Sequence, residues 1–387
     1  MKKFLFFLYT LLFSCTVIAQ ITYKEIKSKK LNTTRQLKIK LPKNYDPESN
    51  LKHPVIVVFD GDYLFEPVAG QVAFQTYFDE IPKSIIVGVV QSKDRYHDTF
   101  CDEVSGLPLE TGARFYEFIA QELIPYLDNN YNTSKFRVAI GHNTMGNFIN
   151  SFLFKSEPLF QAYINLSPDF KGNLNTNLVS RLEWLKNDVF YYLATCDKDI
   201  KYINEIVHET NAQLNNVNNK SLTYYFDEFE GDNHYTMVTG ALSNALDKVF
   251  EIYKPLDEKE LNEKVLTYEG TLDVYMVKRQ QRIEDLFGIF KPITEEEFEK
   301  VVNIAEQRED LESLQKIGKL ASKLDPESSL GTYYLALYAE KVGKTKKAVK
   351  LYELALELDM KSFIDRELIL SRMESLKYVA EDYQEED

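Results

Sequence analysis

Phe136-Arg137-Val138-Ala139-Ile140-Gly141-His142-Asn143-Thr144-Met145-Gly146-Asn147-Phe148 is the stretch on which the fold turns. Its apolar opening predicts a strand over Phe136–Ile140, and Met145–Phe154 predicts a helix, with only a few residues between them. Upstream, Val55-Ile56-Val57-Val58-Phe59 is an unbroken, mostly β-branched run. Such a run fits a strand buried on both faces of a parallel sheet. Ile85, Ile86, Val87, Val89 and Val90 predict another strand within Ser84–Val90. Gln71–Phe78 reads as a helix between the two. Gly112–Tyr131 puts Phe115, Phe118, Ile119, Leu123, Ile124 and Leu127 on one helical face. Downstream, strands are expected at Ala162–Leu166, Val189–Thr195 and Ser221–Phe229, with helices at Ile200–Leu214 and Tyr235–Tyr253. Ile21–Leu41 alternates apolar and polar residues as a strand does. Strands alternating with helices give an α/β fold with a mainly parallel sheet.

After about Lys254 the strands stop and the sequence becomes charged and helical. Ala348, Tyr352 and Ala355 have the spacing of the second helix of a tetratricopeptide repeat. Leu335 and Ala336 fit its first helix, and Ala321 and Pro326 fit the end of a preceding, worn repeat. The chain of 387 residues is therefore expected to divide into residues 20–254 (α/β) and 255–387 (helical), with degenerate repeats at about 295–360. Two such repeats bury little alone, so the helical part is expected to pack on the rest of the chain or on a protein partner. Lys2, Lys3, the apolar Phe4–Ile18 and the small residue Ala19 before Gln20 read as an export signal over residues 1–19. A lipoprotein signal ending at Cys15 is the rival, with bulky Phe13 against it. The expected location is periplasmic, outer-membrane-associated or secreted, without a membrane span.

A formal net charge of −14 repels phosphate backbones, so nucleic acid is not an expected partner. Beyond Cys15, Cys101 and Cys196 are the only cysteines. Whether they pair stays open. The five His residues are scattered without zinc spacing, and no metal or organic cofactor is implied.

Four segments carry a resemblance. Phe59-Asp60-Gly61-Asp62-Tyr63, Val87-Gly88-Val89 followed by Arg95 and Asp98, the helix ending Glu122-Leu123-Ile124-Pro125, and Glu230-Gly231-Asp232-Asn233-His234 resemble the esterase family of S-formylglutathione hydrolases, siderophore esterases and feruloyl esterases. That family has the α/β-hydrolase fold, whose nucleophile sits on a G-x-S-x-G strand-to-helix turn. The resemblance covers roughly residues 21–254 and implies a small ester or ester-like ligand. It implies His234 as general base, with Asp197 or Asp199 orienting it. Gly61 or Asp62, with Thr144, would give oxyanion N–H groups. Arg95 with Asp98 would be an ion pair fixing a pocket loop, or a clamp on substrate. His142 is expected to be structural.

The departure is central. Asn143 stands at the nucleophile position and Met145 in the second glycine slot, where a bulky side chain is expected to crowd the elbow. A carboxamide cannot form an ordinary acyl-enzyme. Three readings follow: a pseudo-hydrolase that binds a ligand or protein partner; an active ester hydrolase in which Thr144 is the nucleophile; or a non-covalent mechanism with Asn143 as polar donor and His234 activating water, on a small ester, siderophore or acylated sugar.

Overall fold

The computed structural model describes residues 21–360 and 363–385, with the side chains from 377 onward left aside. The export signal over 1–19 and Cys15 lie outside the described residues. The chain divides into two compact units, one running to Glu251 and including Leu286–Ile289, the other Ile252–Asp285 with everything from Phe290 on.

The first unit is built on one eight-stranded sheet: β1 (Thr22–Ser28), β2 (Thr33–Lys40), β3 (His53–Val58), β4 (Ile85–Val89), β5 (Thr133–His142), β6 (Ala162–Leu166), β7 (Val189–Lys198) and β8 (Leu222–Asn233). Their order is β1-β2-β4-β3-β5-β6-β7-β8. β1 and β2 pair antiparallel and β2 joins β4 antiparallel, while β4-β3-β5-β6-β7-β8 is parallel throughout. The expected α/β fold with a mainly parallel sheet is the one observed. Ile21–Leu41 is not one strand but a hairpin. At about 3.3 Å per residue an unbroken strand of that length would outrun the sheet, and Asn32, at φ 53°, turns the chain.

The α-helices of this unit longer than four residues are α1 (Phe65–Tyr77), α2 (Glu110–Phe118), α3 (Ile124–Asn130), α4 (Thr144–Ile149), α5 (Leu174–Glu183), α6 (Lys201–Leu214) and α7 (Met237–Val249). The single helix expected over Gly112–Tyr131 carries a π turn at Ile119–Leu123 between α2 and α3. Pro125, at the start of α3, has no N–H to continue an α ladder through it. The short strand-to-helix turn predicted at 141–145 is present, but the α-helix stops at Ile149 and tightens to a 3₁₀ turn over Asn150–Phe154. α5 has no counterpart in the sequence reading, although Leu174, Leu178 and Leu182 are all fully buried along it.

The sheet direction reverses its growth at β3: β4 is laid on one side and β5 on the other. In open α/β sheets such a switch point, at the carboxyl ends of the strands, is where ligands bind. The β5–α4 turn lies there. It rests on an aromatic cluster in which Phe148 stands 5.7 Å from Phe59 and 5.1 Å from Phe115. Gly141 allows the turn: a Cβ there would sit 2.4 Å from the Met145 carbonyl oxygen. Gly141→Ala is expected to cost about 3 kcal/mol, because backbone rather than a pliable side chain must move. Denaturant unfolding reads this directly, and an unchanged midpoint would contradict it.

The second unit is helical: α8 (Leu272–Phe287, whose last residues count with the first unit), α9 (Glu295–Gln307), α10 (Leu311–Leu324), α11 (Ser329–Lys341), α12 (Thr345–Ala355) and α13 (Arg366–Glu385). Its core joins Phe298, Val301, Ile317, Leu337, Ala348 and Tyr352. The start of α9 precedes that of α11 by 34 residues, and α10 precedes α12 by the same 34. Thr294 and Glu297 form a reciprocal capping box at α9, and Asp310 caps α10. Among the described residues no helix is long and apolar enough to cross a membrane.

Candidate active site

Asn143 holds φ 55° and ψ −123°, outside the left-handed region that asparagine tolerates, at a cost of about 1–3 kcal/mol. The neighbours hold it there. Its N–H donates to the Leu166 carbonyl at 3.1 Å, and its own carbonyl accepts from Asp169 and Asn147 N–H at 3.1 and 3.2 Å. The residue after β5 is thus lifted to the apex of a sharp elbow. On the far side the close backbone approach falls on Gly146, where a Cβ would meet Pro168 at 2.9 Å. Met145, expected to crowd the elbow, is fully buried beneath it, its sulfur 3.7 Å from Gln91 Nε2.

Three loops bring the polar groups together at this apex. His234, just past β8, presents Nε2 at 2.9 Å from Asn143 Nδ2 and Nδ1 at 2.6 Å from Asp199 Oδ1. Asn143 Oδ1 accepts the Thr144 N–H at 2.7 Å. These bonds fix each other. A backbone N–H can only donate, so the amide atom facing it is oxygen. The other atom is then NH₂, a donor, and His234 Nε2 must accept. The imidazole proton therefore sits on Nδ1, toward Asp199. This is the tautomer that a serine triad uses at rest, with an amide N–H in place of a hydroxyl.

Asp199 is the acid that serves His234. Its buried carboxylate also accepts from Ser167 Oγ, from Thr195 Oγ1 at 2.7 Å and from Ile200 N–H at 2.7 Å. Burial pushes this carboxyl up, but the His234, Ser167, Thr195 and Ile200 donors outweigh it and hold the group below its usual range. Asp197, the other candidate, instead accepts the Gly231 N–H at 2.9 Å and steadies the histidine loop. The β7–β8 register slips between Cys196 and Lys198, which separates the two aspartates.

Of the oxyanion candidates, Gly61 is excluded: its N–H is spent on the Val89 carbonyl at 2.8 Å. The Asp62 carboxylate takes Gln91 N–H at 2.9 Å and Ser92 N–H at 3.0 Å, so its side chain fastens the neighbouring loop. The Thr144 N–H is aimed correctly but is filled by Asn143 Oδ1. The Thr144 hydroxyl oxygen is buried without a hydrogen-bond partner and makes no bond to His234. Arg95 does not pair with Asp98. It forks onto Asp60 at 2.7 and 2.9 Å, while Asp98 pairs with Arg35 at 2.5 Å and accepts from Gln91 at 3.1 Å. Gln91, Arg35, Ser167 and Thr195 are supporting residues that the sequence reading passed over. Gln91 had a signal, standing directly after a buried strand, where parallel sheets carry their functional groups.

His142 is buried beside the site. Its Nε2 donates to the His234 carbonyl at 3.1 Å and its Nδ1 lies 3.0 Å from the Tyr63 hydroxyl. Burial, helped by the nearby His234, pushes its imidazole down to about 4. An unfolded histidine takes up its proton near 6.5. The stability linked to His142 is therefore complete above that pH and is lost as pH falls toward 4, by about 3 kcal/mol across the window. The expected result is that wild type loses about this much more stability than His142→Gln between pH 7.5 and 4.5 in paired denaturant titrations. Parallel losses would contradict it.

Cys101 and Cys196 are both free. Among the described residues no cluster of His, Cys, Asp or Glu could hold a metal ion.

A parallel sheet with an antiparallel hairpin at one edge, a strained elbow after β5, an acid after β7 and a histidine after β8 together define one architecture. The first unit has the α/β-hydrolase fold. Residues 28–149 match the family model described as Putative esterase. An uncharacterised protein from Capnocytophaga ochracea superposes with a TM-score of 0.81 at 28% identity, over 93% of this chain and all (100%) of that one. An IroE-like serine hydrolase from Shewanella oneidensis gives 0.60 at 20% identity over 78% of this chain and 98% of its own. A siderophore hydrolase, EstA, from Aspergillus nidulans gives 0.51 at 14% over 62% and 97%. At these last two identities the likeness is one of fold. No curated protein matches the chain. Within the α/β-hydrolase frame, this chain's elbow carries a carboxamide where acyl transfer needs a hydroxyl.

Proposed function

We propose that this chain is an exported esterase-like protein that has lost acyl-enzyme chemistry and serves as a binding component. The observation that carries the reading is the Asn143 carboxamide, which spans the His234 Nε2 and the Thr144 N–H and so occupies both halves of the machinery at once. A nucleophile must be deprotonated to attack; this group is instead a neutral donor–acceptor bridge. The ligand class in keeping with the site is a small ester or ester-like molecule held without turnover. The 34-residue recurrence of α9–α12 supports reading the second unit as tetratricopeptide-like, the part through which a protein partner would be met. Export rests on residues 1–19, and recovery of a mature chain beginning at Gln20 tests it.

The catalytic reading is tested with short-chain p-nitrophenyl esters. Wild type is expected to be silent. Turnover by wild type that disappears in Thr144→Val or His234→Ala would overturn the proposal and make the protein an unconventional esterase.

A further inference from the structure

The geometry points to Asn143 as a self-processing site: its own carboxamide is presented to the site as a substrate, and water hydrolyses it to aspartate. An acyl group undergoing attack in a hydrolase needs its carbonyl oxygen on an N–H donor and its leaving group beside a proton carrier. Asn143 has both. Oδ1 rests on the Thr144 N–H at 2.7 Å, and Nδ2, the leaving group, is 2.9 Å from His234 Nε2. His234 is in turn held by the Asp199 carboxylate at 2.6 Å, which stabilises the imidazolium that forms in passing. The residue is partly open to solvent, so the second reactant, water, has access to it.

The balance is simple. Water oxygen bonds to Cγ and gives one proton to His234 Nε2. Cγ–Nδ2 then breaks as His234 passes that proton to the departing nitrogen, and the new carboxyl proton goes with it. Carboxamide and water become carboxylate and ammonium, with nothing oxidised or reduced. The product has a driving force of its own. The carboxylate formed at position 143 keeps the Thr144 N–H and, once His234 Nε2 takes up a proton from solvent, replaces a neutral bond to His234 by a charge-assisted one. The mature elbow would then carry an anion, and the ligand it selects would differ from that of the nascent chain. This inference stands apart from the loss of acyl-enzyme chemistry, since neither asparagine nor aspartate at this position forms an ester intermediate with an ordinary ester substrate.

The chain contains its own control. Asn32 also precedes a threonine, also has positive φ (53°) and is exposed in the β1–β2 turn, but has no such apparatus. The full mature protein is incubated in heavy-oxygen water and its peptides are mapped by mass spectrometry, beside an Asn143→Asp standard. The expected result is conversion of Asn143 to ordinary aspartate with one labelled oxygen, well ahead of Asn32, or a freshly purified chain already converted. His234→Ala and the closer-shaped His234→Gln, each checked for an unchanged melting curve, should slow conversion by about a hundredfold, the usual reach of a positioned proton carrier. Three results would overturn the inference: Asn143 persisting while Asn32 converts, a rate indifferent to His234 in folded variants, or an isoaspartate mixture, which marks attack by the Thr144 nitrogen instead of water. Ester hydrolysis plays no part in this readout, so its outcome is separable from that of the proposed function.

Discussion

Asn143→Ser is expected to convert a silent elbow into an esterase, with turnover of short p-nitrophenyl esters rising about 10³-fold or more over wild type and depending wholly on His234. Two effects set the size. Loss of a triad nucleophile costs about 10⁶ in turnover where it has been measured in other hydrolases. Against this, the oxyanion site is incomplete: Gly61 N–H is tied to Val89, and one missing donor costs about 10²–10³. The difference leaves about 10³–10⁴. The substitution acts twice. It supplies an Oγ within reach of His234 Nε2, whose proton is already parked on Nδ1, and it withdraws the Oδ1 that fills the Thr144 N–H. The elbow strain is carried by backbone bonds to Leu166, Asp169 and Asn147, so the serine inherits the conformation. Silence from a variant that melts with wild type would mean that the surrounding apparatus has decayed along with its nucleophile.

The elbow was legible in the sequence because its signals are local. A strand, a glycine and a helix within a dozen residues leave only one place for the apex, so Asn143 could be named. His234 followed from the loop after the last strand. What stayed hidden depends on contacts between distant segments. Asp197 and Asp199 both follow the run Val189–Thr195 two residues apart, and the register slip between Cys196 and Lys198 sets them apart, so that Asp199, just past β7, meets His234. Arg95 and Asp98 are neighbours along the chain, yet their partners come from elsewhere, Asp60 from the bend after β3 and Arg35 from β2. Gly61 looked free until its N–H met a carbonyl of β4. The hairpin in Ile21–Leu41 was passed over although its inward positions change parity across the turn, from Ile26 and Ser28 in β1 to Arg35, Leu37 and Ile39 in β2. Met145 looked obstructive because the motif was read by position, whereas the close approach falls one residue later, on Gly146.

Asp199→Asn should be the most damaging single change at the site, and it separates two roles of one carboxylate. Four donors converge on it: His234 Nδ1, Ser167 Oγ, Thr195 Oγ1 and Ile200 N–H. Its side chain is fully buried. An amide has only one acceptor atom, and its NH₂ would face hydroxyls or an imidazole N–H placed to donate. Leaving such groups unsatisfied costs about 1–3 kcal/mol each, so a loss of about 3 kcal/mol in denaturant unfolding is expected. The second role appears only in the Asn143→Ser background. An amide NH₂ facing His234 Nδ1 would draw the imidazole into the other tautomer, placing its proton on Nε2, where it cannot accept from a serine. In a serine triad that exchange costs about 10⁴ in turnover, enough to erase the activity gained. Asp197→Asn is the matching control: its carboxylate holds Gly231 N–H, a bond that the amide oxygen can still accept, so both stability and the gained turnover should stay close to those of the parent. If the two aspartates proved interchangeable in that pair of measurements, the assignment of Asp199 as the residue that orients His234 would be wrong.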